Sequence, residues 1–98
     1  MPWPLRRRKT QQPPSPAATA VVTVYSRGNC HLCHEALTSL HALQQEMAFT
    51  IEEISIEGNS ELEGKYGEQV PVIFINNQPH DYFRVDPERF RREFKKLI

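Results

Sequence analysis

Apolar positions along the chain change from a strand-like run to a helix-like spacing near residue 30. The run from Val21 to Tyr25 is apolar and β-branched, which predicts a buried strand. Residues 26–29 are turn formers, and after Cys30 the apolar side chains recur three and four positions apart, which predicts a helix with one apolar face. That face consists of Cys33, Ala36, Leu37, Leu40, Leu43 and Met47. The first structural unit is therefore a strand that leads into a helix.

Two further elements follow with weaker patterns. Residues 49–56 predict a second strand, but the alternation of apolar and polar positions breaks at Glu52-Glu53. A bulge or a later strand start would produce this break. Asn59-Ser60 is a helix-capping pair and Gly67 a helix terminator, so a short second helix is predicted to end at Tyr66.

The last part of the chain predicts a hairpin and a helix. Residues 72–75 are apolar at every position, which is typical of a strand covered on both faces. Asn76-Asn77 favours a turn, and residues 82–84 predict the return strand. Asp86-Pro87-Glu88 predicts the start of a helix, because aspartate caps the first N–H groups and proline suits the first turn. Its apolar stripe would run through Phe90, Phe94, Leu97 and Ile98.

The predicted element order is β-α-β-α-β-β-α, which belongs to the α/β class. A crossover helix between the first two strands makes those strands parallel. The short turn between the last two strands makes them antiparallel. The sequence therefore predicts a four-stranded mixed sheet with three helices.

Charge divides the chain of 98 residues, which suffices for one small domain, into two parts. Residues 6–9 are basic, and no acid accompanies them among the neighbouring prolines. We therefore expect residues 1–19 to form a flexible basic tail and residues 20–98 to form the domain. Asp and Glu outnumber Lys and Arg in that domain, so we expect no nucleic-acid partner.

The sequence does not show the pattern of an export signal or of a membrane-spanning segment. The hydrophobic fraction is 39 %, and no apolar run has the length of a membrane span. No apolar segment follows the arginines as in a secretory signal, and the prolines oppose the amphipathic helix of a transit peptide. Targeting, or weak contact with an anionic surface, is the alternative role for this tail. Two cysteines are too few for a disulfide-stapled secreted scaffold. We expect a cytoplasmic monomer in a reducing compartment, with no membrane span.

Both cysteines of the chain lie in one motif, Cys30-His31-Leu32-Cys33. At a strand-to-helix junction, the unpaired N–H groups and partial positive charge of the helix stabilise a thiolate and lower its pKa. Cys30 lies at the exposed end of the motif and is the predicted nucleophile. Cys33 opens the apolar face and is the predicted resolving thiol. The motif therefore indicates thiol–disulfide chemistry.

Other interpretations of the cysteine pair remain open. In one interpretation, the two cysteines have no functional role. In another, they hold a metal ion or a cluster, although residues 30–34 cannot supply four converging zinc ligands from one helical turn. Cys30-His31-Leu32-Cys33-His34 also matches a haem attachment pattern, which usually acts after export. In a further alternative, the domain is a non-catalytic binding module.

Two segments resemble the signatures of glutaredoxins. Residues 24–33 are similar to the glutaredoxin active-site segment, and residues 69–75 resemble the second signature, where a cis-proline precedes the third strand. Over residues 20–98 this resemblance implies the thioredoxin fold and the small glutaredoxin-like family in which Leu precedes the second cysteine. It implies a Cys30/Cys33 redox pair and a cis bond before Pro71.

The resemblance also implies a substrate site around the cysteines. The Val70-Pro71 loop would face the pair, and the Val70 backbone would bind an extended substrate. Arg27 stands where glutaredoxins often carry lysine, and it would hold the thiolate or a substrate carboxylate. His31 and Leu32 replace the usual Pro-Tyr between the cysteines. The remaining histidines are predicted to be surface residues: His34, His41 and His80.

Together these features predict a glutaredoxin-like thiol–disulfide oxidoreductase that reduces protein or low-molecular-weight disulfides. We expect no bound cofactor and no metal, and glutathione or another thiol would serve as the reductant. Glutathione-binding glutaredoxins carry a Gly-Gly pair after the last strand, and residues 78–84 contain no glycine. This difference weakens the case for glutathione as the specific partner.

Overall fold

Strands and helices alternate along residues 20–97, the part of the chain that the computed structural model describes. The strands are β1 (Val21–Ser26), β2 (Thr50–Ser55), β3 (Val72–Ile75) and β4 (Gln78–Tyr82). The helices are α1 (His31–Leu43), α2 (Ser60–Tyr66) and α3 (Pro87–Leu97). This order confirms the predicted β-α-β-α-β-β-α arrangement. The tail predicted at residues 1–19, and Ile98, lie outside the described residues.

The four strands form one mixed sheet in the order β2-β1-β3-β4. β1 pairs in parallel with β2 and antiparallel with β3, where Tyr25 is opposite Val72, and β3 pairs antiparallel with β4. This topology confirms the predicted fold class. The C-terminal ends of β1, β2 and β4 and the start of β3 therefore lie at the same end of the sheet, which we call the Ser26 end.

Polar side chains cap the first turns of α2 and α3. Asn59 Oδ1 accepts a hydrogen bond from the Leu62 N–H at 3.0 Å. Asp86 Oδ1 accepts from the N–H groups of Glu88 and Arg89 at 3.1 and 3.3 Å. Both caps agree with the helix starts that the sequence predicts. Within residues 20–97, no helix combines the length and apolar composition that crossing a membrane requires.

The main core lies where α1 and α3 pack against the sheet. Its central side chains are at most 1 % exposed: Val22, Val24, Ala36, Leu40, Ile73, Ile75, Phe90 and Phe94. Phe49, which precedes β2, places its ring centroid 5.4 Å from that of Phe90 and 5.7 Å from that of Phe94. The aromatic rings thus join α3 to the segment that enters the edge strand β2.

A half-buried aromatic cluster links α2 to the sheet. The ring centroid of Tyr25 lies 4.7 Å from that of Tyr66 on α2 and 5.7 Å from that of Phe74 on β3. Phe74 is next to Ile73, whose side chain belongs to the main core. Successive side chains of a strand point to opposite faces, so β3 is covered on both faces as its continuous apolar run predicts.

β2 starts one residue later than predicted and contains no bulge. Its register with β1 is continuous from Thr50 to Ser55. Ile51 pairs with Val22, and Ile54 pairs with Tyr25, so the two isoleucine side chains lie on opposite faces of the sheet. The break in alternation at Glu52-Glu53 therefore reflects a sheet covered on both faces. Both glutamates are exposed, because β2 is an edge strand.

The return strand lies earlier than the predicted residues 82–84, of which only Tyr82 belongs to β4. β4 starts at Gln78, which pairs directly with Ile75, because Asn76 and Asn77 both adopt positive φ and form a two-residue turn. Pro79 is tolerated within β4 because this strand lies at the edge of the sheet. The irregularity that the sequence did not predict lies between Ile73 and Phe74 in the β3–β4 register.

Both predicted apolar stripes extend too far. α1 ends at Leu43, and Met47 packs against the core from the following loop. The side-chain amide of Gln44 donates to the Phe49 carbonyl at 2.8 Å and holds that loop against the start of β2. In α3, Leu97 is 37 % exposed and does not belong to the core. The periodicity located both helices but not the ends of their buried faces.

The prediction that His80 is a surface residue is also wrong. Its side chain on β4 is 8 % exposed, and its ring packs edge-on against Phe90 with 5.5 Å between the centroids. Nε2 is buried and has no hydrogen-bond partner within residues 20–97. Burial lowers the pKa of His80 from its ordinary value, and this effect outweighs the opposing field of Asp81. Burial therefore disfavours the protonated form of His80.

We expect the protein to lose stability as the pH falls through the range where an exposed histidine takes up a proton. In that range the unfolded chain binds the proton more readily than the folded chain does, because the folded pKa is lowered. This stabilising contribution is complete above the ordinary histidine pKa of about 6.5 and decreases below it. Urea denaturation between pH 8 and pH 5 measures the effect. His80→Leu should reduce the dependence of the free energy of unfolding on pH. An unchanged pH dependence in this variant would contradict the assignment of the effect to His80.

Candidate redox site

Cys30 joins the loop after β1 to the first turn of α1. Its backbone is extended at φ −104°, and its Sγ accepts a hydrogen bond from the Cys33 N–H at 3.1 Å. Cys30 and Cys33 form a disulfide, with 5.2 Å between their Cα atoms. The sulfur of Cys30 therefore occupies the N-cap position, where helix N–H groups stabilise negative charge.

The two cysteines differ in exposure. Cys33 is 3 % exposed because it lies on the buried face of α1, whereas Cys30 is half-buried. A molecule that approaches from solvent therefore reaches Cys30 first. This order of burial agrees with the sequence-based expectation, and the assignment of nucleophile and resolving thiol stays a prediction.

The loop before Cys30 is held by contacts with the segments around α2. The Arg27 guanidinium donates through Nη2 to the Gly67 carbonyl at 2.9 Å. Gly28 packs against the Glu57 carboxylate so closely that a Cβ there would lie 3.3 Å from Glu57 Oε1. Asn29 adopts φ 56°, a left-handed conformation that asparagine tolerates better than most residues. These contacts fix the direction in which the chain enters α1.

The predicted site residues around the cysteines have different environments. Arg27 is half-buried in its contact with Gly67, and its predicted role toward a thiolate or carboxylate stays a prediction. The exposed His31 lies 2.8 Å from the Glu35 carboxylate through Nε2. Leu32, between the cysteines, is 42 % exposed. His34 and His41 are exposed, as predicted.

The Val70–Pro71 peptide bond is cis, as the glutaredoxin resemblance implies. Val72 is opposite Tyr25, so the Val70-Pro71 loop lies at the Ser26 end of the sheet, from which the chain also leads to Cys30. Pro71 is fully buried and Val70 is half-buried. The Pro71 carbonyl accepts a hydrogen bond from the Phe83 N–H at 2.8 Å, which ties the turn after β4 to this loop.

A known protein family matches nearly all of the described domain. Residues 21–95 match the family described as Glutaredoxin-like domain (DUF836). The chain belongs to this glutaredoxin-like family. The match spans the entire described sheet and both cysteines.

Two solved structures and one uncharacterized protein resemble this chain over most of their length. A Nitrosomonas europaea protein determined by solution NMR is 34 % identical, with a TM-score of 0.69 over 76 % of this chain and 91 % of that chain. An X. campestris protein determined by X-ray crystallography is 31 % identical, with a TM-score of 0.63 over 76 % and 96 % of the two chains. An uncharacterized Mycobacterium tuberculosis protein is 26 % identical over 80 residues, which cover 76 % of this chain and 82 % of that protein.

A thioredoxin shares the fold at lower identity. Fasciola hepatica thioredoxin is 17 % identical, with a TM-score of 0.53 over 81 % of both chains. At this identity the similarity concerns the fold alone. The glutaredoxin-like domain of this chain therefore has a thioredoxin-like fold.

The sequence pattern did not identify three residues at the Ser26 end of this glutaredoxin-like domain: Glu53, Glu57 and Phe83. The Ser26 hydroxyl donates to Glu53 Oε2 at 2.8 Å, and Glu57 lies against Gly28. Phe83 follows β4 with its side chain 47 % exposed. Parallel pairing of the first two strands could have placed Glu53 and Glu57 near the cysteine loop, but nothing in the local pattern identifies Phe83.

Metal-binding geometry is not found in the described part of the domain. Residues 20–97 contain no group of three or more His, Cys, Asp or Glu side chains placed to hold a metal ion. The sulfur groups described at this site are those of Cys30 and Cys33, which form a disulfide.

Proposed function

We propose that this glutaredoxin-like protein is a thiol–disulfide oxidoreductase that uses Cys30 and Cys33 to reduce protein or low-molecular-weight disulfides. The observation that carries the proposal is the N-cap position of Cys30, whose Sγ accepts the Cys33 N–H at 3.1 Å. A helix N–H directed at a sulfur stabilises its thiolate, and the thiolate is the form that attacks a disulfide. The family match and the Cys30–Cys33 disulfide support this function.

The proposed reaction begins with the reduced dithiol. The Cys30 thiolate attacks one sulfur of the substrate disulfide, so that a Cys30–substrate bond forms, the substrate S–S bond breaks and the other substrate sulfur leaves as a thiolate. Cys33 then loses its proton and attacks Cys30 Sγ. This second exchange releases the remaining substrate thiolate and leaves the Cys30–Cys33 disulfide. The substrate gains two electrons and two protons, and an external thiol, such as glutathione, restores the dithiol.

The Val70-Pro71 loop is the proposed binding site for the substrate backbone. Within residues 20–97, neither backbone polar group of Val70 makes a hydrogen bond to another backbone group. An extended segment could pair with these groups in the manner of an added strand. This arrangement would hold the substrate disulfide at the Ser26 end of the sheet, next to the loop that leads to Cys30.

Insulin reduction tests the proposed function with the full chain. The protein, glutathione and insulin are mixed at pH 7, and precipitation of the released insulin B chain is followed by turbidity. A parallel reaction replaces glutathione with NADPH, thioredoxin reductase and thioredoxin. We expect precipitation to start earlier than with the reductant alone in at least one of the two systems. The same lag time with and without the protein, in both systems, would contradict the proposal.

A further inference from the structure

Phe83 has a backbone conformation that is rare for an aromatic residue. Its φ is 72°, in the left-handed region where a side chain is unfavourable and glycine is the usual residue. Two hydrogen bonds hold this turn: the Phe83 N–H donates to the Pro71 carbonyl, and the Arg84 N–H donates to the Tyr82 carbonyl, both at 2.8 Å. The fold therefore maintains an aromatic residue in a strained conformation directly beside the cis-proline.

The side chain of Phe83 does not contribute to the core. It is 47 % exposed, whereas Phe90 and Phe94 are at most 1 % exposed. Two other large apolar side chains at this end are similarly exposed, Tyr82 at 46 % and Leu32 at 42 %. Stability of the domain does not explain this exposure, because water remains in contact with the apolar surface.

Exposed apolar side chains are concentrated at the end of the sheet that carries the cysteines. Of the four large hydrophobic residues exposed within residues 20–97, three are Leu32, Tyr82 and Phe83. Leu32 lies between the two cysteines, and Tyr82 pairs with Val72, which follows Pro71. The fourth, Leu97, lies at the C-terminal end of α3. Three of these four side chains therefore lie at the same end of the domain as the proposed site of disulfide exchange.

The charges around the loop before α1 disfavour a small anionic substrate. The Glu53 carboxylate accepts from Ser26, the Glu57 carboxylate lies against Gly28, and Glu35 pairs with His31. Glutathione disulfide carries four carboxylates and two ammonium groups at neutral pH, so it has a net negative charge. These carboxylates oppose the binding of such an anion, and the one guanidinium of this loop, that of Arg27, donates to the Gly67 carbonyl. A neutral polypeptide segment meets no such repulsion.

We propose that Phe83 is a specificity-determining residue, and that the preferred substrate is a polypeptide disulfide whose cysteines are flanked by apolar side chains. This inference rests on the proposed oxidoreductase function and names its substrate class. A flanking apolar side chain would pack on Phe83 while the substrate sulfur is attacked by Cys30. Part of the exposed aromatic surface would then leave water during the exchange, which favours such substrates over glutathione disulfide.

Single-turnover reduction of matched peptides tests this inference. The two peptides, with blocked termini, are Gly-Leu-Cys-Leu-Gly and Gly-Ser-Cys-Ser-Gly, each oxidised to its symmetric disulfide. The full-length protein is reduced, freed of reductant and mixed with each peptide or with glutathione disulfide, and acid-quenched samples are separated by chromatography. We expect the leucine peptide to react about ten-fold faster than the serine peptide, as removal of roughly 50–60 Å² of apolar surface from water would produce. Glutathione disulfide should react more slowly than the leucine peptide.

Three variants test whether the Phe83 side chain causes the preference for the leucine peptide. Phe83→Asn removes the apolar surface and keeps a residue that tolerates positive φ, and it should bring the leucine-to-serine ratio close to one. Phe83→Leu retains an apolar side chain and should keep most of the preference. Leu97→Asn, which removes an exposed apolar side chain on α3, should keep all of it. Circular dichroism of each variant verifies the fold.

The outcomes separate the two proposals. A wild-type preference that Phe83→Asn abolishes, and that Phe83→Leu and Leu97→Asn retain, supports the role of Phe83. Equal rates for both peptides in the wild type, or a preference that survives Phe83→Asn, overturn this role but leave the oxidoreductase function intact. Failure to reduce any of the three disulfides overturns the proposed function and, with it, this inference.

Discussion

Replacing Cys30 with serine should reduce the rate of disulfide reduction to that of the external thiol alone. The hydroxyl that replaces the sulfur is not ionised at neutral pH and cannot form the mixed disulfide. Loss of a nucleophile of this kind lowers turnover by about three orders of magnitude or more. The N-cap hydrogen bond to the Cys33 N–H can be made by the serine oxygen, so the variant should still fold.

Cys33→Ser provides the matched comparison, because the chain contains only these two cysteines. In this variant Cys30 can still attack a disulfide, but the buried side chain that would resolve the intermediate is missing. The mixed disulfide with a substrate should therefore accumulate. Mass spectrometry without reductant detects it as an added mass on Cys30. Full reductase activity in Cys30→Ser, or trapping in that variant instead of in Cys33→Ser, would show that the roles are assigned wrongly.

The largest expected loss of stability comes from Phe90→Ala. Phe90 is 0 % exposed, and its ring contacts Phe49, Phe94 and His80, with centroid separations of 5.4, 5.8 and 5.5 Å. Truncation removes an entire aromatic ring from the interface between α3 and the sheet and leaves a cavity. Substitutions of this type lower the free energy of unfolding by about 3–5 kcal/mol. A small domain is stable by only about 5–15 kcal/mol, so the variant should be close to unfolding.

Urea denaturation of the oxidised protein measures this loss, with the disulfide intact in every sample. Leu97→Ala is the control, since it shortens a partly exposed apolar side chain on the same helix. We expect Leu97→Ala to change the free energy of unfolding by less than about 1 kcal/mol. Similar losses in the two variants would mean that Phe90 does not occupy the central position in the core.

Local chemistry explains why much of the fold could be predicted from the sequence. The run Val72–Ile75 has no polar interruption, Asn76-Asn77 suits positive φ, and Asp86-Pro87 combines a cap with a residue that starts helices. Each of these features acts within a few residues, so the sequence pattern contains it. The cis bond before Pro71 was predicted from the resemblance to glutaredoxins, because the presence of a proline does not by itself determine which isomer the preceding bond adopts.

Features that depend on contacts between distant segments were missed or misplaced. His80 is buried because Phe90, on another element, covers it, and a histidine in a polar stretch gives no sign of this contact. The conformation of Phe83 depends on the Pro71 carbonyl, which is twelve positions earlier in the chain. The cysteine motif could be recognised from the sequence, whereas the side chains that surround it could be placed only once the strand register was known.

The two edges of the sheet differ chemically from its centre, and this difference affects how copies of the chain meet. An unpaired strand edge can recruit a strand from another molecule, which is the first step of aggregation through extended sheets. Here one edge carries the exposed carboxylates of Glu52 and Glu53, which repel those of an identical strand. The other edge contains Pro79, which lacks an N–H to donate. The domain therefore discourages growth of its sheet into fibrils from both sides.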